Sequence, residues 1–169
     1  SLISRVMEIF QAFPDLIFAM AIMTFMGKGV LNLFIALGLL TWVRTARMIR
    51  GSVMQLKEKE YVEAARACGA STYWIIMKEL GPNCLSTIIV LVTLGIPNAI
   101  MYEASLSFLG IGIQPPTPSW GNMISAAQTF ISYRPVYSIM PGVAIMITVI
   151  AFNIFGDGLR DALEPKLRS

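Results

Sequence analysis

The chain has 169 residues, 56% of them hydrophobic and 14% charged, with a mean hydropathy of +0.68. Soluble domains hold roughly 45–50% apolar and about 25% charged residues, so an ordinary water-soluble globule is excluded and a bilayer is the expected solvent. The net charge of +3 is distributed along the chain rather than gathered in one patch, which argues against nucleic acid, and the absence of histidine removes imidazole metal sites and histidine-based catalysis.

A membrane-spanning helix needs about 20 mostly apolar residues. Four stretches approach that length: 6–26, 30–43 with a basic extension, 84–102 and 136–155. Ser1 is followed almost at once by apolar sequence, without the basic leader and small-residue cleavage site of a signal peptide, so the chain reads as an internal fragment.

The first span carries Phe13-Pro14-Asp15, a helix breaker beside an ionisable group. An aspartate at a helix centre costs about 2.5–3.5 kcal/mol on insertion scales, and less toward the interface. Asp15 and Glu8 are therefore expected against protein, water or headgroups. Gly27-Lys28-Gly29 then makes a tight turn into the second span, where Trp42 fits an interfacial anchor. Arg44, Arg47 and Arg50 recur at helical spacing as that helix leaves the membrane.

Helix is expected over 52–68 with Gly69 at its end, and Ser71 is placed to cap a second short helix over 72–80. Gly81-Pro82 is expected to close that helix, with Pro82 opening the third span. Within the third span, Pro97 deprives the Thr93 carbonyl of its helical donor. A kink follows, and the carbonyl must turn to a neighbouring helix, Asn98 or water. Residues 103–135 form the longest extracytoplasmic stretch, with a rigid Pro-rich turn at 114–121 and a partly immersed helix over 121–133. After the last span, 156–169 forms a tail patterned as a short amphipathic helix on the cytoplasmic surface.

Basic residues sort these loops by side. Arg44, Arg47, Arg50, Lys57, Lys59, Arg66 and Lys78 lie between the second and third spans, Arg5 precedes the first, and Arg160, Lys166 and Arg168 follow the fourth. Only Lys28 and Arg134 remain for the other side. The positive-inside rule therefore makes the 51–83 loop and both chain ends cytoplasmic. Cys68 and Cys84, on or beside that loop, suggest no disulfide framework and suit a reducing compartment.

The loop contains Tyr61-Val62-Glu63-Ala64-Ala65, then Gly69-Ala70. Ala64, Ala65, Gly69 and Ala70 offer a small-residue surface that admits a close partner, Glu63 can pair with a cation on it, and Tyr61 and Val62 can fill an apolar notch. The alternative is an ordinary helix-turn-helix in which Glu63 pairs with Arg66 at i,i+3, worth only about 0.2–0.5 kcal/mol. Spacing alone leaves both open.

This loop resembles the Glu-Ala-Ala motif of ABC importer permeases. Glu103-Ala-Ser-Leu-Ser-Phe-Leu-Gly110, Pro115-Pro-Thr-Pro-Ser-Trp-Gly121 and Gly156-Asp-Gly-Leu-Arg-Asp-Ala-Leu-Glu-Pro165 are similar to the dipeptide, oligopeptide and nickel branch. The resemblance implies an all-α, polytopic type I ABC importer transmembrane domain in a bacterial or archaeal inner membrane, with two N-terminal helices missing from a six-helix subunit. It implies a second permease subunit in a heterodimer, two cytoplasmic ATPase subunits that bind the ATP and magnesium, and an extracytoplasmic substrate-binding protein. Coupling to the ATPases would run through the loop at Glu63 to Gly69. One departure is Leu80-Gly81, where the family has a hydrophobic pair before the proline.

Asp15, Asn98 and Glu103 are candidates for a polar translocation path, since ionisable groups within a membrane usually face cavities. Asn98 can instead satisfy backbone freed by Pro97, and Glu103 can sit among headgroups. Pro116 and Trp120 are candidates for an outer gate or binding-protein contact, although tryptophan is common at interfaces on general grounds. No Gly-x4-Gly-Lys-Ser/Thr occurs in the chain, so it carries no phosphate cradle of its own and is expected not to be an enzyme. The leading function is import of short peptides or a related small solute by alternating access; nickel import or a passive channel are the alternatives. An intramembrane enzyme is disfavoured, because Asp15 and Glu103 fall toward opposite faces.

Overall fold

The computed structural model describes residues 2–163, the side chains of residues 2 and 3 excepted. Every regular element among them is helical. They are α1 (Leu2–Gln11), α2 (Asp15–Met26), α3 (Val30–Leu56), α4 (Glu60–Ala67), α5 (Thr72–Trp74), α6 (Gly81–Phe108), α7 (Trp120–Ala127) and α8 (Val136–Leu163). A π-turn, Ile75–Leu80, joins α5 to α6, and a 3-10 turn, Gln128–Phe130, follows α7.

The span expected over 6–26 is broken. α1 and α2 meet at 94°, because Pro14 is extended (φ −59°, ψ 129°) and a proline drives the residue before it out of the helical region. The 12 residues of α2 reach about 18 Å, well short of a hydrocarbon core of roughly 30 Å. α1 is tied to α3 by an edge-on contact of Phe10 with Trp42 at 5.8 Å and by a hydrogen bond of 3.0 Å from Arg50 Nη1 to Ser4 Oγ.

α3 runs unbroken for 27 residues, but helix does not continue over 52–68 as expected. It stops at Leu56 and restarts at Glu60, with Lys59 extended between them. Residues 57–60 alternate lysine and glutamate and have no apolar group to bury, so no packing holds helix there. Val62 recovers burial by turning back toward the protein.

The larger departure is at Gly81-Pro82, which does not end a helix. Residues Thr72–Phe108 form one continuous helix of 37 residues. A proline in an α-helix clashes with the carbonyl four residues back, and the wider π-turn just before Pro82 opens the ladder where that clash would fall. Gly81 suits the same place: a Cβ there would lie 3.0 Å from the Ile76 carbonyl oxygen, which the π-turn brings beneath it. The departure from the family pattern at Leu80-Gly81 thus has a local packing reason.

Ala19 and Met23 of α2, Leu33, Ala36 and Leu40 of α3, and Leu106 of α6 form the main core. α8 packs along α6, closely enough at Gly156 that a Cβ would meet Leu94 Cδ2 at 2.6 Å. Many large apolar side chains face outward, Phe25 at 91% exposure and Leu31 at 72% among them, as lipid-facing positions do. The expected surface helix at the chain's end is not separate, because α8 continues without a break to Leu163. Residues 164–169 lie outside the described residues.

Past the end of α6, Gly110 (φ +76°) reverses the chain, and the Ile111 and Gly112 amides both donate to the Leu106 carbonyl, at 2.9 and 2.8 Å. α7 is shorter than the 121–133 expected. Ser119 Oγ caps it by accepting the Asn122 amide at 3.2 Å, and it packs against both α6 and α8. A Cβ on Gly121 would lie 2.2 Å from the Ala104 carbonyl oxygen, so α7 and α6 touch backbone to backbone. Gly121→Ala is expected to destabilise the purified protein by about 1–3 kcal/mol, the cost of overpacking. Gly142→Ala, with open space around its Cβ, should match or slightly exceed wild type; thermal unfolding in detergent separates the two.

Candidate functional site

The loop between α3 and α6 is a compact unit. Val62 is fully buried and meets Ile75 and Leu80 of the π-turn, with Val53, Leu56, Ala65 and Ala70 packed around them. The end of α4 has the Schellman pattern: Gly69 takes φ +80°, its amide donates to the Arg66 carbonyl at 2.9 Å, and the Ala70 amide donates to the Ala65 carbonyl at 3.0 Å. Ser71 Oγ then accepts the Trp74 amide at 3.2 Å and starts the next helix.

This arrangement divides the loop residues into two sets. Glu63, Ala64, Arg66, Ala67, Cys68 and Gly69 face outward. Val62 and Ala65 face inward, so the expectation that Val62 fills a notch on a partner is corrected: it anchors α4 to the π-turn instead. No ion pair joins Glu63 to Arg66 among the described residues, which leaves both charges available to a partner. Burial first, then the charges of Glu79 and Cys84, pushes the Tyr61 hydroxyl above the ordinary tyrosine value, so it stays a donor.

The second feature is a charged cleft between α2, α3 and α6. Asp15 Oδ2 accepts from Arg44 Nη2 and from the Tyr102 hydroxyl at 2.7 Å. One carboxylate thus joins three helices. Asp15 is largely covered, with 27% of its side chain exposed, whereas 61% of the Arg44 side chain is open. The cleft has a volume of about 290 Å³, and Asn98, Thr41, Leu91 and Leu94 line it together with the triad. Asn98 Nδ2 reaches the Leu94 carbonyl only at 3.4 Å, so it is not the partner of the Thr93 carbonyl.

Asp15 and Asn98 therefore share one cavity, and Glu103 does not join them. Glu103 accepts from Ser107 Oγ at 2.7 Å, and Ser107 Oγ in turn accepts the Ile113 amide at 2.9 Å. It lines a separate cleft of about 310 Å³ with Pro118, Ser119 and Trp120. Trp120 is half-buried there, while Pro116 is exposed. Arg44 and Tyr102 were missed as site residues from sequence. Spacing with Arg47 and Arg50 puts Arg44 at the start of a cytoplasmic extension, yet it stands 14 residues into a helix of 27, about 21 Å from the Val30 end. That depth was the available signal.

Residues 1–169 match the family described as binding-protein-dependent transport system inner membrane component. The chain belongs to that family. It is 41% identical over 167 residues to the glutathione transport system permease protein GsiD of Escherichia coli O157:H7 and to the same protein of Shigella flexneri serotype 5b, covering 99% of this chain and 55% of each relative. The chain thus spans about half the length of the curated relatives it matches. It is a multi-pass inner membrane component of a transport system, a family of permeases rather than enzymes.

In this inner membrane component the triad predicts a graded loss. Tyr102→Phe removes one hydrogen bond and is expected to cost about 1 kcal/mol. Asp15→Ala should cost more, because it also leaves the Arg44 charge without its partner. The double variant should show coupling of about 0.5–3 kcal/mol, measured as the non-additive part of the change in thermal stability.

Proposed function

We propose that this chain is the C-terminal part of the transmembrane subunit of an ATP-driven importer for short peptides or peptide-like solutes such as glutathione. The observation that carries this is the α4 loop. A small-residue face at Ala64, Ala67 and Gly69 is presented outward while Val62 fixes it to the root of the 37-residue helix. An ATPase subunit docked on that face would displace α4, and the buried contact of Val62 with Ile75 and Leu80 would pass the displacement into α6. Glu63 and Arg66 supply charges of both signs for docking.

In this reading ATP and magnesium are bound by two cytoplasmic ATPase subunits, a second permease subunit completes the path, and an extracytoplasmic binding protein delivers the solute at the outer cleft near Glu103, Pro116 and Trp120. The family assignment and the similarity to glutathione permeases support it. Binding of ATP closes the ATPase pair and turns the central path outward; hydrolysis resets it.

Cysteine crosslinking tests the docking surface in a background lacking Cys68 and Cys84, since Cys68 is exposed. Ala64→Cys or Ala67→Cys is expected to crosslink to the ATPase subunit in an active complex, and Val62→Cys, being buried, is not. An active complex in which neither outward position makes that contact overturns the coupling assignment.

A further inference from the structure

Arg44 is held but not used up. One of its terminal nitrogens is bound to Asp15, and Tyr102 steadies the same Asp15 oxygen from α6. Most of the Arg44 side chain nevertheless remains open, at 61%, beside a cleft of about 290 Å³. A guanidinium presents five N–H donors in a rigid fork, so it can keep one carboxylate and take a second. Arginine and lysine are rare within spanning segments and usually face a cavity. Asn98 lines the same cleft and donates only one long 3.4 Å bond, to the Leu94 carbonyl, so its second amide hydrogen remains for an incoming acceptor.

We propose that Arg44, oriented by Asp15 and Tyr102, forms with Asn98 a subsite for the carboxylate of the transported solute. This rests on the peptide-importer reading above and names which end of the solute the cleft takes. The charges decide the class. Asp15 already balances Arg44, so an anion is held here by directed N–H donors rather than by net charge, and repulsion from Asp15 is about twice as large for a doubly charged anion such as phosphate as for a single carboxylate. The fork geometry of arginine matches a planar carboxylate. Leu40, Leu91, Leu94 and Met48 line the rest of the cleft and give an adjoining side chain an apolar wall. Asp15 and Tyr102 are positioning residues, because they act through Arg44.

The test uses the full-length permease assembled with its second permease, ATPases and binding protein in proteoliposomes. Uptake is measured for dipeptides, tripeptides and reduced glutathione, each as the free acid and as the C-terminal amide. Wild type should take up at least one free acid at least tenfold faster than its amide. Arg44→Gln should collapse that ratio toward one by slowing the free acid, and Arg44→Lys should keep part of it. Because the same binding protein serves every variant, its own preference cancels in the comparison.

Should Arg44→Gln fail to assemble, the double variant Asp15→Asn with Arg44→Gln keeps a neutral hydrogen-bonded pair, and the same collapse is expected of it. A wild-type ratio near one, or a high ratio that survives loss of Arg44, overturns the subsite and leaves the importer reading standing. Failure of wild type to take up any of these solutes overturns both.

Discussion

A carboxylate at the start of α2 cannot face hydrocarbon alone, and the way Asp15 escapes that penalty sets how three helices meet. Its partners come from α3 and α6, 29 and 87 residues away. Without them α2, only 12 residues long, has a polar foot and too little length to cross the bilayer. With them, its upper turns can seat Ala19 and Met23 against Leu33, Ala36 and Leu106. The 94° break before Asp15 belongs to the same solution, since a straight continuation of α1 would carry the chain past the place where Arg44 and Tyr102 can be reached.

The loop between α3 and α6 answers a different demand. The docking surface proposed there must be both accessible and rigid, and small residues alone supply only the first. Rigidity comes from Val62, which fixes α4 to the π-turn, and from the Schellman turn at Gly69, which fixes where the chain reverses. The π-turn itself reconciles Pro82 with an unbroken helix. A helix that ended there would have left the loop hanging on a flexible joint.

What the residues announced in advance was mostly local. Gly69 as a helix end and Ser71 as a cap follow from backbone chemistry within a few positions, and both stand in the structure. Pro14 was recognised as a breaker, but its bend was underestimated because the apolar run continues across it. Pro82 misleads in the opposite sense: by local chemistry it is a stop, because nothing in the neighbouring sequence shows a ladder widening to receive it. The partners of Asp15 were out of reach for another reason. Only the packing of α2 between α3 and α6 brings positions 15, 44 and 102 together. Val62, exposed by motif and buried by fold, shows the same limit from the other side.

The uninterrupted course of Thr72–Phe108 carries a geometric consequence. A helix of 37 residues extends over about 55 Å, so a tilt of only about 5° about its π-turn end sweeps its far end through about 5 Å. Gly121 rests directly on the Ala104 backbone near that far end, so α7 and Trp120 would travel with it. A small angular error introduced at the root would thus be magnified at the mouth, and the tight seating of Val62 beneath it is what keeps that gain from becoming noise.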